Sequence, residues 1–525
     1  MVKNSRHNRT VAPGIRNGVS VLVNETLSPR EAMIEDLLFL RAVLEDAGVE
    51  FLLVDGNDDR PVIAVDLTDG VVVRDALVAA MADQPFMLKT EGKKSGPAVL
   101  VADGLLSIEP DHRSFVLYRA RVAPVGGLAY GASSGVRIEA WEWTDETVEA
   151  ATENSVTRFT IPRDEVEFTT VERFGHTWRT IEPMFDRTSS GVPFDIDLVF
   201  SWVDGTDLEF QRARARQMQS YVVGEGDDHE ARFRQLDELR YALRSVHLFA
   251  PWIRRIFVVT DSPRPHWLAD HPKVTIVRSE EFFADPSVLP THNSQAVESQ
   301  LQHIPGISEH FIYSNDDMFF GRPVSPDMFF SPGGVTKFIE ATTRIGLGEN
   351  NPSRSGFENS ARVNRRLLQE RFSRVTTRHL EHAATPLRKS VLLEMEEEFA
   401  EDFTRTAAST FRASTDISVT NSFYHYYALM TGRAVVQTQA RVKYVETTLK
   451  IALKEMDSLL KQRSYDFFCL NDGSAPEISV ERRTAAVVSF LERYFAIAAP
   501  WEIVPAVTPE LGWEVSSEVP AEPAR

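Results

Sequence analysis

Three apolar runs that each lead into aspartate constrain this chain more than any other feature. Leu198-Val199-Phe200 runs into Trp202-Val203-Asp204-Gly205. Ile256-Phe257-Val258-Val259 ends at Thr260-Asp261, and Phe311-Ile312-Tyr313 leads to Asn315-Asp316-Asp317. Short apolar runs bounded by polar residues are the pattern of strands buried on both faces. Helical spacings lie between them, in Leu236, Leu239, Leu243 and Val246 and again in Val297, Leu301 and Ile304, and Val274–Val277 adds a further strand. Strands alternating with helices predict βαβ units and a mostly parallel sheet, hence an α/β fold. Ligands of such sheets bind beyond the carboxyl ends of the strands. Asp204, Asp261, Asp316 and Asp317 are therefore expected on one rim.

A chain of 525 residues has room for two or three domains. Residues 1–30 read as a flexible lead-in and 31–190 as a compact accessory α/β domain. In the latter, Ala32 to Ala47 has helical spacing, with Leu37, Leu40 and Leu44 on one face. Strands are expected at Phe51–Val54, Val62–Val65, Ala98–Val101 and Val136–Trp143. Residues 191–500 form the main domain. Within it, 331–378 is rich in Gly, Ser, Asn and Arg and reads as an insertion or lid, and helices are expected at 361–372, 386–400 and 420–432. The proline- and glutamate-rich stretch 501–525 reads as a disordered tail. Gly131-Ala132-Ser133-Ser134-Gly135 fits the GxSxG pattern of a nucleophile elbow, but a strand-like segment follows where a helix is required, so it is expected to be a turn.

A net charge of −19 argues against general nucleic-acid affinity. The single cysteine, Cys469, rules out an internal disulfide framework and a cysteine-based zinc site. No run approaches the ~18 apolar residues of a membrane span, and the basic start of the chain is not followed by an apolar stretch. A cytoplasmic enzyme is therefore expected. Walker A, GxGxxG, HExxH and paired CxxC motifs are all missing, against P-loop kinases, Rossmann dehydrogenases and zincins.

A strand ending in two carboxylates can hold a divalent cation against a diphosphate. Oxygen ligands suit Mg²⁺ or Mn²⁺, which take one or two carboxylates plus phosphate oxygens. Alone, Asp316-Asp317 would more often be a solvated acidic turn. In the helix starting at Ser294, Gln295, Glu298 and Gln302 share one face, and His292 and Asn293 precede a helix end suited to phosphate. Alone, that segment would more often be a capped helix with a solvated polar face. Arg240, Arg244, Arg254, Arg255, Arg264, Arg322, Arg388 and Lys389 surround the expected rim, and arginine matches phosphate in a bidentate way. His382, just before Pro386-Leu387-Arg388-Lys389, titrates near neutrality and could take a proton from an acceptor hydroxyl. A lone histidine is more often structural.

Four blocks together resemble the Stealth family of hexose-1-phosphate transferases, which includes bacterial capsule and exopolysaccharide phosphotransferases and the animal N-acetylglucosamine-1-phosphotransferase. They are Ile196–Gly205; Arg232 through Asp237–Ser245, Asp261, Asn293-Ser294 and Glu298 to Asp317; His382–Lys389; and Arg412, Asp416 and Ser422–Tyr427. They span about 190 to 435, in the family's order. The resemblance implies a Rossmann-like, glycosyltransferase-A-like sheet with helices on both faces. It also implies transfer of sugar-1-phosphate from a nucleotide-diphosphate sugar, N-acetylglucosamine being the commonest in the family, to a hydroxyl of a saccharide or lipid-linked acceptor at the inner membrane face. Under it, Asp317, Asp316 and Glu298 hold Mg²⁺ or Mn²⁺, Arg244 or Arg388 holds the phosphoryl oxygens and His382 takes the acceptor proton. Trp202, Asp204 and Gly205 shape the nucleotide pocket, with Asn293 and Ser294 as further contacts. Two other readings remain open: a metal-dependent glycosyltransferase releasing a nucleotide diphosphate, and a non-catalytic polysaccharide-binding protein.

Overall fold

The main sheet carries five strands in the spatial order Val274–Val277, Ile256–Val259, Ile196–Ser201, His310–Asn315, Thr385–Arg388. In chain order the elements are β1 (Ile196–Ser201), α1 (Glu238–Phe249), β2 (Ile256–Val259), β3 (Val274–Val277), α2 (Ser294–Glu298), β4 (His310–Asn315) and β5 (Met318–Phe320). Then come α3 (Gly356–Phe372), β6 (Thr385–Arg388), α4 (Tyr424–Met430), β7 (Val442–Glu446), β8 (Phe467–Asn471) and α5 (Val480–Tyr494). The computed structural model describes residues 14–16, 19–91, 96–207, 211, 236–473 and 476–503.

β1 pairs in parallel with β2 on one side and β4 on the other, and Ser201 stands opposite Asn315. Only β6 runs antiparallel, with His310 opposite Arg388 and Tyr313 opposite Thr385. Side chains alternate across a strand, so each strand feeds two cores. Leu198, Phe200, Ile256, Val258 and Ile312 pack with Leu239, Leu243 and Val246 of α1 and Val487 and Leu491 of α5. Val199, Phe257, Val259, Phe311 and Tyr313 face the other way, onto Val363 and Leu368 of α3 and Tyr424 and Tyr427 of α4. The result is the expected α/β fold, a mostly parallel sheet with helices on both faces. Truncating a fully buried leucine such as Leu243 to alanine costs about 2–5 kcal/mol.

A second, three-stranded sheet, β5-β8-β7, abuts the carboxyl edge of the first. The chain leaves β4 through Asn315-Asp316-Asp317 and enters β5 at once, so the acidic turn joins two sheets and cannot be a free surface loop.

Several expectations are corrected. The stretch 331–378 contributes strands Thr336–Phe338 and Glu340–Arg344 and the 17-residue α3, whose Val363 and Leu368 sit in the core. It is a core element and not a lid. α3 starts at Gly356, where the Ser355 side chain accepts from the Glu358 amide as an N-cap. The helix expected over 386–400 begins as a strand, because Pro386 biases Thr385 to extended backbone and can sit on an edge, and the helix starts only at Lys389. The helix from Ser294 stops after five residues and gives way to a tight turn at Leu301–His303. Val19–Val23 is a strand and a helix starts at Pro29, so the lead-in is shorter than expected, and residues 1–13 lie outside the described residues. Trp501 and Glu502 are buried. The rest of the expected tail, from 504, lies outside the described residues.

The N-terminal part centres on an eight-stranded, mostly antiparallel sheet that includes Phe51–Val54, Val62–Asp66 and Val136–Trp143. The strand expected over 98–101 is only Val99–Leu100. Residues 131–135 form a short turn before a strand, as expected. This part docks against the main sheet's helices. Ala32, Ala123, Leu128 and Tyr130 belong to the same apolar cluster as α1 and α5. Gly126, at φ +72°, lies so close to α5 that a Cβ there would run into the Arg493 carbonyl. The Arg463 guanidinium donates to that carbonyl (3.1 Å), to the Tyr494 carbonyl (3.0 Å) and to the Gly126 carbonyl (3.3 Å).

Candidate active site

The turn after β4 is clamped from the second sheet, because the Leu470 amide of β8 donates to the Asp317 carbonyl at 3.0 Å. Of the Asp317 carboxylate, Oδ2 accepts a weak bond from the Cys469 thiol at 3.4 Å, while Oδ1 is buried with no hydrogen-bond partner. Burial, opposed by the thiol and reinforced by the charges of Glu238 and Asp472, pushes Asp317 up to about 6. Asp316 is pushed well above the usual carboxylate range, by burial first and then by Asp317 and Glu238. Glu238 is itself buried in the first turn of α1, where it accepts from the Leu236 amide at 2.6 Å. Among the described residues no lysine or arginine pairs with Asp316 or Asp317.

The chemistry of this pair suits a cation. Two repelling carboxylates, one with an orphaned buried oxygen, are hard donors of the kind that Mg²⁺ and Mn²⁺ take. Among the described residues no three His, Cys, Asp or Glu side chains converge as a metal cluster. The pair therefore fits a cation that draws its remaining ligands from water and substrate phosphates.

His382 is tied to this turn through Tyr444. His382 sits in the bend that leads into β6, where the Ala383 amide donates to the Glu381 carbonyl at 3.0 Å. The imidazole is half-buried, its centroid 5.4 Å from the Tyr444 ring and 6.1 Å from the Phe357 ring. Burial holds its pKa below 6.5, so the ring is neutral at neutral pH and can accept a proton. Tyr444, on β7 opposite Cys469, links this histidine to the acid pair. Its hydroxyl accepts from Asn471 Nδ2 at 2.7 Å, and it is raised to about 12 by burial and then by Cys469, Glu446 and, more weakly, Asp317.

At the end of β1, beside β4, the Asp204 amide donates to Ser262 Oγ (2.8 Å) and Asp204 Oδ1 accepts from the Thr206 amide (2.9 Å) and hydroxyl (2.7 Å). This side-chain-closed turn leads into buried Gly205. Trp202 is buried with its indole N–H unpartnered. Asp261, at the end of β2, accepts from the Ser279 amide at 2.8 Å.

Other expected members have partners of their own. Glu298 is buried and accepts from Thr420 Oγ1 at 2.7 Å. Burial raises its pKa, and it is not among the charges acting most strongly on Asp316 or Asp317. Gln295 and, in the following turn, Gln302 are buried too, so the polar residues expected to share one face do not form a solvated face. Asn293 caps the Gln295 amide (3.0 Å) and donates to Asp416 Oδ2 (2.8 Å), and Ser294 Oγ accepts from Arg412 at 2.7 Å. The expected phosphate seat is thus an internal polar network on a five-residue helix.

Arg244 is turned away into an ion pair with Glu502 (2.6 and 2.7 Å) and a bond to the Phe495 carbonyl (2.8 Å). Arg388 pairs with Glu309 at 3.0 Å beside the first residue of β4. At about 3.3 Å per residue that lies roughly 17 Å from the acidic turn. Arg240, Arg254, Arg264 and Arg322 pair with Glu502, Asp197, Asp270 and Asp466, and Arg255 donates to the Gly306 carbonyl. The expected positive rim is not made by these residues.

Glu238, Tyr444, Asn471 and Asp472 were missed. One signal pointed to the last two. Phe467-Phe468-Cys469-Leu470-Asn471-Asp472 repeats the pattern of Phe311–Asp316, an apolar strand ending in Asn-Asp. The structure pairs these two strand ends through β5 and β8.

Comparison with known proteins accords with this layout. Models described as Stealth protein conserved regions 1, 2, 3 and 4 match residues 194–221, 232–338, 381–429 and 457–509. The blocks around His382 and around Arg412 are therefore one region, and the fourth lies further on, around Asn471-Asp472. The chain is 59% identical over 500 residues to the exopolysaccharide phosphotransferase CpsY of Mycobacterium tuberculosis, covering 95% of this chain and 94% of that one. It is 54% identical over 493 residues to the exopolysaccharide phosphotransferase of Nocardia farcinica, covering 94% and 92%. The likeness thus includes the N-terminal part. A solved galactosyltransferase with donor and acceptor sugar analogues covers 58% of this chain and 96% of its own at 11% identity and a TM-score of 0.29, too loose a likeness to carry an argument.

Proposed function

The chain belongs to the Stealth family and is a phosphotransferase of exopolysaccharide synthesis, and from that premise we propose that it moves sugar-1-phosphate from a nucleotide-diphosphate sugar to a hydroxyl of a saccharide acceptor. The new bond joins the acceptor oxygen to the phosphorus next to the sugar. The bond from that phosphorus to the bridging oxygen breaks, and nucleotide monophosphate leaves. The acceptor proton goes to His382.

The observation that carries this reading is Tyr444, whose ring packs on His382 at 5.4 Å and which stands opposite Cys469, the residue whose thiol meets Asp317. Phosphoryl-type transfer depends mainly on positioning and charge neutralisation. A bound Mg²⁺ or Mn²⁺, held by Asp316 and Asp317, would supply the neutralisation of the diphosphate. The sheet order β1-β4-β6 supports a directional arrangement. Trp202, Asp204 and Gly205 end β1 and take the nucleotide. The acid pair ends β4 at the diphosphate, and His382 precedes β6 on the acceptor side. Attack from one flank and departure toward the other suits an in-line displacement. The test is to incubate the protein with nucleotide sugars and Mg²⁺ or Mn²⁺ and identify the released nucleotide. Monophosphate, with phosphorus retained in the product as a phosphodiester, is the expected result. Release of a diphosphate would make the enzyme a glycosyltransferase instead.

A further inference from the structure

The rings beside His382 form a continuous row. Tyr444 to His382 is 5.4 Å between centroids, His382 to Phe357 is 6.1 Å, and Phe357 stacks on His379 at 4.5 Å and 22°. The row starts on β7 next to the acid pair and ends where the first turn of α3 meets the strand that holds His379. Tyr444 is 39% exposed, Phe357 and His382 are half-buried and His379 is buried at the base.

Both part-exposed rings are held in place. Tyr444 is fixed by its strand register and by the bond from Asn471. Phe357 is fixed by its stack on buried His379 and by its place in a capped helix turn. A rigid, part-exposed aromatic ring loses little conformational freedom when something covers it.

We propose that Tyr444 and Phe357 are the shelf on which the saccharide acceptor lies, with the His382 imidazole between them at the level of the acceptor hydroxyl. This rests on the reading of the site as a phosphotransferase centre. A pyranose has an apolar C–H face and a rim of hydroxyls. Aromatic rings bury the first and leave the second free, and binding sites commonly join an apolar lining to a few placed polar groups. The shelf lies on the β6 and β7 side of the acid pair, while the β1 loop with Trp202 lies across β4 from β6. A ligand on the shelf is therefore the acceptor and not the donor's nucleotide.

The test uses the full chain and two readouts. Saturation-transfer NMR with a panel of neutral oligosaccharides reads binding without turnover. Steady-state kinetics with a nucleotide-sugar donor and Mn²⁺ separates acceptor KM from donor KM. Tyr444→Leu and Phe357→Leu are each expected to abolish saturation transfer and to raise acceptor KM about tenfold, with donor KM within about twofold. Tyr444→Phe, which keeps the ring, should stay near the parent value. Unchanged acceptor KM and saturation transfer in both leucine variants would overturn the shelf. So would equal rises in donor and acceptor KM. If no donor is turned over, the phosphotransferase reading fails while the NMR arm still decides whether the shelf binds sugar.

Discussion

The Cys469 thiol reaches Asp317 Oδ2 at 3.4 Å, leaving that carboxylate with one weak donor on one oxygen and none on the other. A buried anion this poorly satisfied is costly, and a bound cation would offset that cost.

Asp317→Asn should therefore separate stability from activity. The folded-state pKa of about 6 lies above the ordinary value of 3.8, so between those pH values the folded state keeps a proton that the unfolded state has lost. The metal-free protein accordingly loses stability as pH rises from about 4 to 6. In chemical denaturation without metal, Asp317→Asn should be the more stable by on the order of 1–3 kcal/mol above pH 6, with the gap vanishing near pH 4. Added Mn²⁺ should stabilise only the parent. Turnover in the variant should fall about 10²–10³-fold. A variant that is active and still stabilised by Mn²⁺ would remove Asp317 from the cation site.

Burial keeps His382 neutral below its ordinary pKa of 6.5. The acid limb of the kcat/KM profile should therefore fall below pH 6.5 in the parent. His382→Asn should lose that limb and about 10²–10⁴-fold in rate. An unchanged pH profile in the variant would assign the limb to another group.

Glu502 is fully buried and pairs with both Arg240 and Arg244. Glu502→Ala leaves the buried Arg244 guanidinium without its counter-ion and should cost about 3–5 kcal/mol in urea denaturation. The paired replacement Arg244→Met with Glu502→Leu should cost less than the two single changes added together. Strict additivity would mean that the two residues are not coupled.

Arg388 sits at the far end of β4 from the acidic turn. Arg388→Ala should cost at most about 1 kcal/mol, as expected for a part-exposed pair with Glu309. Donor KM should stay within about twofold. A tenfold rise in donor KM would restore Arg388 to the phosphate contacts.

The sheet was legible because β1, β2 and β4 are buried on both faces and so are almost purely apolar, and a parallel sheet places their carboxyl ends together without further information. The location of Asp316 and Asp317 followed from that alone. The arginines were not legible, because whether Arg244 faces phosphate or Glu502 depends on a partner more than 250 residues away, which no local pattern encodes. Arg388 failed for a topological reason. It was expected on the rim with the other arginines, but β6 runs antiparallel to β4 and sets Arg388 opposite His310, at the start of β4. α2 failed because an i, i+3, i+7 polar pattern looks the same whether it meets water or, as with Glu298 and Thr420, a buried partner. The Asn471-Asp472 end was visible but went unused, since only the β5–β8 pairing brings it beside Asp317.

The fit of Gly126 against the last turn of α5 bears on how this protein can be divided. Ala32, Ala123, Leu128 and Tyr130 are interior residues of the half that carries the acid pair. A fragment starting near residue 190 would present a bare oily face and strand the Arg463 guanidinium without its Gly126 acceptor. Exchange of the N-terminal part between relatives should therefore preserve folding only when the glycine turn and the helix end it touches are exchanged together.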